Sequence, residues 1–241
     1  MNNAIESATE PTESVSTLII VRWLIREYIG VALVGVILFL AAGTMNWVMG
    51  WALVAVTFGW VTANALVLVP RRSSLIAERL GRIKGAKSWD GVIISIIGLA
   101  TVGRLVVAGL DLRHGWSTGI PSIAQWIALL IVILGYILVV WAMAINNYFS
   151  QIVRIQEERG HQVISDGPYA WVRHPGYLGS ILFEISVPVM LGSWWALTVG
   201  AGIVLLFILR TALEDRTLQK ELEGYPEYSQ KVRFRVLPGI W

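Results

Sequence analysis

The chain has 241 residues, 56% of them hydrophobic and 15% charged, with a formal net charge of +3 and a mean hydropathy of +0.65. A soluble domain carries about a quarter charged residues, so this composition excludes an ordinary soluble fold and indicates an all-α, polytopic helical membrane protein. The absence of cysteine excludes disulfides, thiolate nucleophiles and Cys-based metal sites.

In chain order, residues 1–17 are polar and acidic (Glu6, Glu10, Glu13) with no basic region before an apolar core. They read as a disordered cytosolic tail, not as a cleaved signal. The first apolar block covers 28–43, with an interfacial turn from Thr17 ahead of it; the next three cover 47–69, 89–110 and 123–145. Each is long enough to cross a hydrocarbon core of roughly 30 Å. The block at 177–209 is too long for one crossing, and Gly192-Ser193-Trp194-Trp195 interrupts it. Gly and Ser weaken a helix, and paired tryptophans suit the interface. The block is therefore read as a tight hairpin, 177–191 and 194–213, which makes six spans.

The linker 70–88 holds Arg71, Arg72, Arg79, Arg82, Lys84 and Lys87 against Glu78 alone. The positive-inside rule puts it in the cytoplasm, and alternation then puts both termini there, in a bacterial-type cytoplasmic membrane. Three segments follow: the tail 1–17, scaffold helices 18–145 and a chemistry-bearing region 146–241.

Two parts of that last region carry the polar chemistry. Residues 167–179 read GPYAWVRHPGYLG, in which Pro168 and Pro175 make rigid corners before a helix. Orphan N–H groups at such a corner suit a carboxylate or phosphate, and Tyr169, Trp171 and Tyr177 can flank a flat ring. The plainer reading is an interfacial loop with a lipid-facing Arg173. Further on, Arg210 and Glu214 share a helical face, either as a surface ion pair or as site residues. Within the spans, Arg104 and Glu184 pair with each other or face a polar, substrate-holding cavity, because an unpaired charge in hydrocarbon is costly. His114, His161 and His174 show neither i, i+4 spacing nor HExxH, so no metal is expected. Nothing calls for a nucleic acid.

Taken together, Arg159-Gly160-His161-Gln162-Val163-Ile164, Gly167-Pro168-Tyr169, Arg173-His174-Pro175-Gly176-Tyr177-Leu178-Gly179, Arg210-Thr211 with Glu214-Asp215, and Gly224-Tyr225 with Tyr228 resemble the isoprenylcysteine carboxyl methyltransferase family. The resemblance spans roughly 147–241. It implies an S-adenosylmethionine-dependent methyltransferase, releasing S-adenosylhomocysteine, that works at the cytoplasmic face of the bilayer on a lipophilic acceptor. It implies cofactor contacts from His161, Gln162, Val163, Ile164, Tyr169, His174, Pro175, Gly176, Tyr177 and Glu214. It also implies substrate and catalytic roles for Arg210, with Glu214 beside it. A further cofactor contact upstream of His161 stays open among Gln151, Arg154 and Gln156. The acceptor is a prenylcysteine-like carboxylate, a lipid amine or a thiol. Competing readings are an NADPH-dependent reductase of the membrane sterol-reductase type and a non-catalytic scaffold.

Overall fold

A computed structural model describes residues 17–71, 76, 79, 80 and 85–241. The acidic tail 1–16 and most of the basic linker fall outside the described residues. No strand occurs among those described. The helices are α1 (Thr17–Ala42), α2 (Val48–Arg71), α3 (Ser88–His114), α4 (Ser122–Ile145), α5 (Pro175–Met190), α6 (Trp194–Glu221) and α7 (Tyr225–Lys231). Five of them, α1–α4 and α6, are long and apolar enough to cross a membrane, and α5 is a shorter apolar helix.

The hairpin forms where the sequence places it. Gly192 takes φ +78° between α5 and α6, and the Ser193 hydroxyl then caps α6 by accepting the Ala196 N–H at 2.9 Å. Two boundaries differ from expectation. α1 begins at Thr17, not near Tyr28, because Trp23 is buried against Leu68, Ile76 and Met143 and so needs the extra turns. α6 runs on to Glu221, not to about 213, because Asp215 and its neighbours are held from outside the bilayer-crossing part. α4 stops at Ile145, where the Asn146 side chain turns inward and accepts the Tyr148 N–H at 2.8 Å.

Lipid tails are as apolar as leucine, so helices associate through close packing and not through hydrophobic exclusion. Glycines mark the crossings. A Cβ on Gly179 would lie 2.5 Å from the Gly135 carbonyl and 2.6 Å from Val139, which fixes α5 against α4. Gly109 meets the Leu38 carbonyl in the same way where α3 crosses α1, and Gly200 meets that of Glu184 where α6 crosses α5. Between these crossings lies an apolar core built from Leu38, Leu53, Leu105, Val132, Val187 and Met190.

Charges in this half are internally compensated. Arg104 on α3 and Glu184 on α5 are both buried and bonded to each other, the first of the two arrangements expected of them. The buried Asp111 accepts the Ser117 N–H at 2.6 Å, the Ser117 hydroxyl at 2.5 Å and the Ser193 hydroxyl, so it staples the α3–α4 loop to the hairpin turn.

Gly179→Ala should lower stability by about 1–3 kcal/mol through overpacking. Gly98→Ala, where a Cβ meets nothing within 4 Å, should be neutral or slightly stabilising. Thermal unfolding in detergent separates the two.

Candidate active site

At the end of the bundle away from the α5–α6 turn, the helices splay around a cavity of about 550 Å³, within the range of small-molecule sites. Its walls contain His161, Gln162, Val163, Ile164, Tyr169, His174, Gly176, Tyr177, Arg210 and Glu214. Ten of the residues singled out from sequence therefore share one space, although they come from two loops and two helices. Pro175 does not line it; it is the buried first residue of α5. Arg104 and Glu184 do not line it either, and as substrate contacts they are corrected by their mutual pairing. Trp171 is 67% exposed and stands edge-on to Trp141 at 6.2 Å, outside the aromatic walls.

The GPYAWVRHPG corner is held by an ionic knot. Asp215 on α6 is fully buried. It accepts from Arg173 Nε at 2.8 Å and Nη2 at 3.1 Å, from Arg235 Nε at 2.9 Å, from the Tyr225 hydroxyl at 2.9 Å and from Gln219 at 2.9 Å. His174 Nε2 lies 3.3 Å from the same carboxylate and from the Tyr225 hydroxyl. Arg173 is thus buried and not lipid-facing, and its Nη1 donates to the carbonyls of Val232 and Arg233 at 2.8 Å. Burial opposes the Arg173 charge, but hydrogen bonding and attraction to Asp215 outweigh it and raise its pKa. Burial first, and then Asp215, push the Tyr225 phenol far above its ordinary range, so it remains a donor.

The C-terminal tail runs back along this corner. The Arg173 and His174 N–H groups donate to the carbonyls of Phe234 and Arg235 at 2.9 and 2.8 Å. Those of Tyr177 and Leu178 fold onto the His174 carbonyl at 3.0 and 3.1 Å. The expected array of orphan N–H groups is thereby narrowed to Gly176, whose lack of a side chain also admits the Phe149 ring; a Cβ there would come within 2.9 Å of it. Tyr228 on α7 closes the tail by donating to the Tyr169 carbonyl at 2.7 Å.

Opposite the corner, His161 packs against Tyr148 with ring centres 4.5 Å apart and planes tilted by 34°, and its Nδ1 accepts the Gln156 N–H at 3.3 Å. Burial first, then the positive charges of Arg154 and Arg159, bring its pKa down to about 4. A neutral imidazole accepting at Nδ1 carries its proton on Nε2, so His161 is a donor. Gln156 is buried and structural, giving its amide to the Tyr148 carbonyl at 2.7 Å and accepting from Arg159 at 2.6 Å. Gln151 and Arg154 line the cavity instead, which narrows the upstream position that sequence leaves open.

Arg210 and Glu214 share a wall but not an ion pair. Glu214 accepts the Tyr177 hydroxyl, and the Arg210 guanidinium lies 5.2 Å over the Tyr177 ring. The partner of Arg210 is Asp90 on α3, at 2.6 Å, a residue that sequence reasoning missed. Its only local signal is an acid in the first turn of an apolar helix. The cavity also extends between Trp23, Trp60, Asn64 and Ile97, so helices of the first half help to wall it.

Long apolar helices around a cavity at one end define an integral-membrane protein. A family model described as isoprenylcysteine carboxyl methyltransferase matches residues 126–220. A probable protein-S-isoprenylcysteine O-methyltransferase of Oryza sativa subsp. japonica is 32% identical over 183 residues, covering 72% of this chain and 92% of the rice protein. The protein-S-isoprenylcysteine O-methyltransferase of Rattus norvegicus is 30% identical over 125 residues, 46% of this chain and 42% of that protein. The lamin-B receptor of Drosophila melanogaster is 29% identical over 97 residues, and the match spans only 13% of its length. The solved structure of a eukaryotic intramembrane Ras methyltransferase, isoprenylcysteine carboxyl methyltransferase, superposes with a TM-score of 0.57 at 17% identity, covering 90% of this chain and 83% of that one. The chain belongs to the isoprenylcysteine carboxyl methyltransferase family.

Removing the Asp215 charge leaves Arg173 buried without its counter-ion, so Asp215→Asn should cost about 3–5 kcal/mol of stability. Chemical denaturation in detergent would measure it.

His161 should confer a pH dependence. An unfolded histidine binds a proton near pH 6.5, whereas the folded one does so near 4. The associated stability is fully present above about pH 6.5 and is lost as the pH falls toward 4. The thermal midpoint should drop between about pH 7 and about pH 5, and drop less in His161→Phe.

Proposed function

We propose that this protein is an S-adenosylmethionine-dependent methyltransferase that esterifies the carboxylate of a prenylcysteine-like acceptor, with the basic end of the bundle, and the cavity in it, facing the cytoplasm. The observation that carries the reading is one cavity that joins an arginine with uncommitted N–H groups to a polar and aromatic wall, yet gives an acceptor no dedicated base among the described residues. Of the carboxylates lining it, Glu27 is paired with Arg26 and Glu214 is engaged by Tyr177, while His174 lies against Asp215 and Tyr225. Asp215 is bonded to two arginines and Asp90 to Arg210. His161 is neutral with its acceptor nitrogen already used. An amine or thiol acceptor has to lose a proton to such a base. A carboxylate is already ionised and needs none.

The residues fit the cofactor. Tyr148 and His161 offer a stacking surface, and Glu214 can accept from an ammonium or from ribose hydroxyls. The Gly176 N–H and Arg154 suit a carboxylate. When bound, S-adenosylmethionine supplies an electrophilic methyl group on a sulfonium. The work of this chain is then alignment, since holding two reactants in line removes most of the entropic cost of their encounter. Arg210 orients the acceptor carboxylate, while Trp60, Val61, Ile94 and Ile97 line the apolar arm of the same cavity, a suitable place for an isoprenoid chain. In this reading residues 146–241 are the catalytic region and 18–145 support it.

The purified protein should bind S-adenosylhomocysteine in detergent and in lipid, and should not bind NADPH. Glu214→Gln should weaken that binding about tenfold or more, since a hydrogen bond to a charged group contributes about 1.5–3 kcal/mol. Calorimetric titration that finds NADPH bound in place of the adenosyl ligand would favour a reductase, and no affinity for either would favour a scaffold.

A further inference from the structure

Arg210 is not a freely swinging side chain. Asp90, fully buried in the first turn of α3, accepts its Nε–H at 2.6 Å and one Nη2–H at 3.2 Å. The Gln151 carbonyl takes Nη2 at 2.8 Å. A guanidinium has five N–H donors; three are committed here, and the two on Nη1 have no partner among the described residues. The Tyr177 ring restrains the plane of the group from one side.

Asp90 is itself fixed in place. Its Oδ2 also accepts the Val153 N–H at 2.7 Å, and the Val153 carbonyl accepts the Lys87 N–H at 3.2 Å. Lys87 in turn bonds Glu221 at the end of α6 at 2.7 Å. The start of α3, the 151–154 wall of the cavity and the α6 arginine thus form one connected unit, held across 120 residues of sequence.

We propose that Asp90 is a positioning residue that locks the Arg210 guanidinium so that it offers Nη1 alone to the acceptor. The inference rests on the reading of Arg210 as the group that orients a carboxylate. A free arginine grips a carboxylate as a two-pronged fork and engages both oxygens. With Nε and Nη2 consumed by Asp90 and Gln151, that fork is unavailable. Arg210 holds one oxygen and leaves the other without a donor. An oxygen free of hydrogen bonds is the better nucleophile, so Asp90 exchanges grip for reactivity.

The test uses the full chain in lipid with S-farnesyl N-acetylcysteine as acceptor. Methyl-transfer kinetics are measured beside equilibrium binding of that acceptor without a donor, and beside binding of S-adenosylhomocysteine. Asp90→Asn should lower kcat about 10- to 100-fold, as misalignment does. Acceptor affinity should be unchanged or tighter, and S-adenosylhomocysteine affinity should stay within about twofold. In an Arg210→Lys background the same change should add less than about twofold, because coupled residues act as one. If Asp90→Asn cannot be extracted folded, Asp90→Glu, whose extra methylene displaces the carboxylate from its three donors, is read by the same criteria. Full activity in the variant overturns the proposal. So do losses that multiply with Arg210→Lys, or acceptor affinity that falls in step with kcat. Each of these leaves the methyltransferase reading intact, whereas a wild type that neither binds S-adenosylhomocysteine nor methylates the acceptor overturns both.

Discussion

The burial of the Asp215 carboxylate is the constraint on which the rest of the site depends. A lone carboxylate in a dry interior is prohibitive, so the fold must bring cations and donors to it. Arg173, Arg235, His174, Tyr225 and Gln219 all converge there. The partners arrive on four pieces of chain: the corner before α5, the C-terminal tail, α7 and α6 itself. One unsatisfiable charge thus recruits the tail onto the corner and holds His174 and Gly176 at the cavity wall. It also explains why α6 continues as helix well past the part that would cross hydrocarbon.

The two ends of the bundle solve different problems. Toward the α5–α6 turn, the helices meet through glycine-mediated crossings and an apolar core, and Arg104 and Glu184 are paired with each other. At the other end the helices diverge and the polar groups are only partly satisfied. Among the described residues, Arg210 Nη1, the His161 Nε2–H and the Gly176 N–H have no partner. Groups that are closed on themselves hold the protein together, and groups left half-open are the ones able to meet a ligand.

Neutral His161 and the committed carboxylates bear on the choice of acceptor. A site intended to deprotonate an amine keeps a base within reach. Here the carboxylates at the cavity wall already have partners, Glu27 in Arg26 and Glu214 in Tyr177. The arrangement favours chemistry that needs orientation and desolvation, not proton transfer.

Much of this was legible in the order of residues. Twenty-residue apolar runs, the Gly192-Ser193 break and the spacing of the RGHQVI and RHPGY segments are local, and hydrophobic length and turn chemistry are read locally too. The membrane class and the hairpin follow from them; the grouping of His161, Tyr169, His174, Tyr177, Arg210 and Glu214 is what the family resemblance of those segments implies, and one cavity holds all six. What only the tertiary structure decided are the partnerships between distant charges. Sequence spacing put Glu214 beside Arg210, but the arginine turns to Asp90 across the bundle and the glutamate to Tyr177. It left Arg173 free to face lipid, but the fold buries it on Asp215. For Arg104 and Glu184 it allowed either mutual pairing or a substrate cavity, and the fold pairs them. The physical reason is the same in each case. Inside a membrane protein a charge takes whichever counter-charge or hydrogen-bond donor the helix crossings bring within reach, and those crossings are set by glycines and packing, not by the neighbours of the charge along the chain.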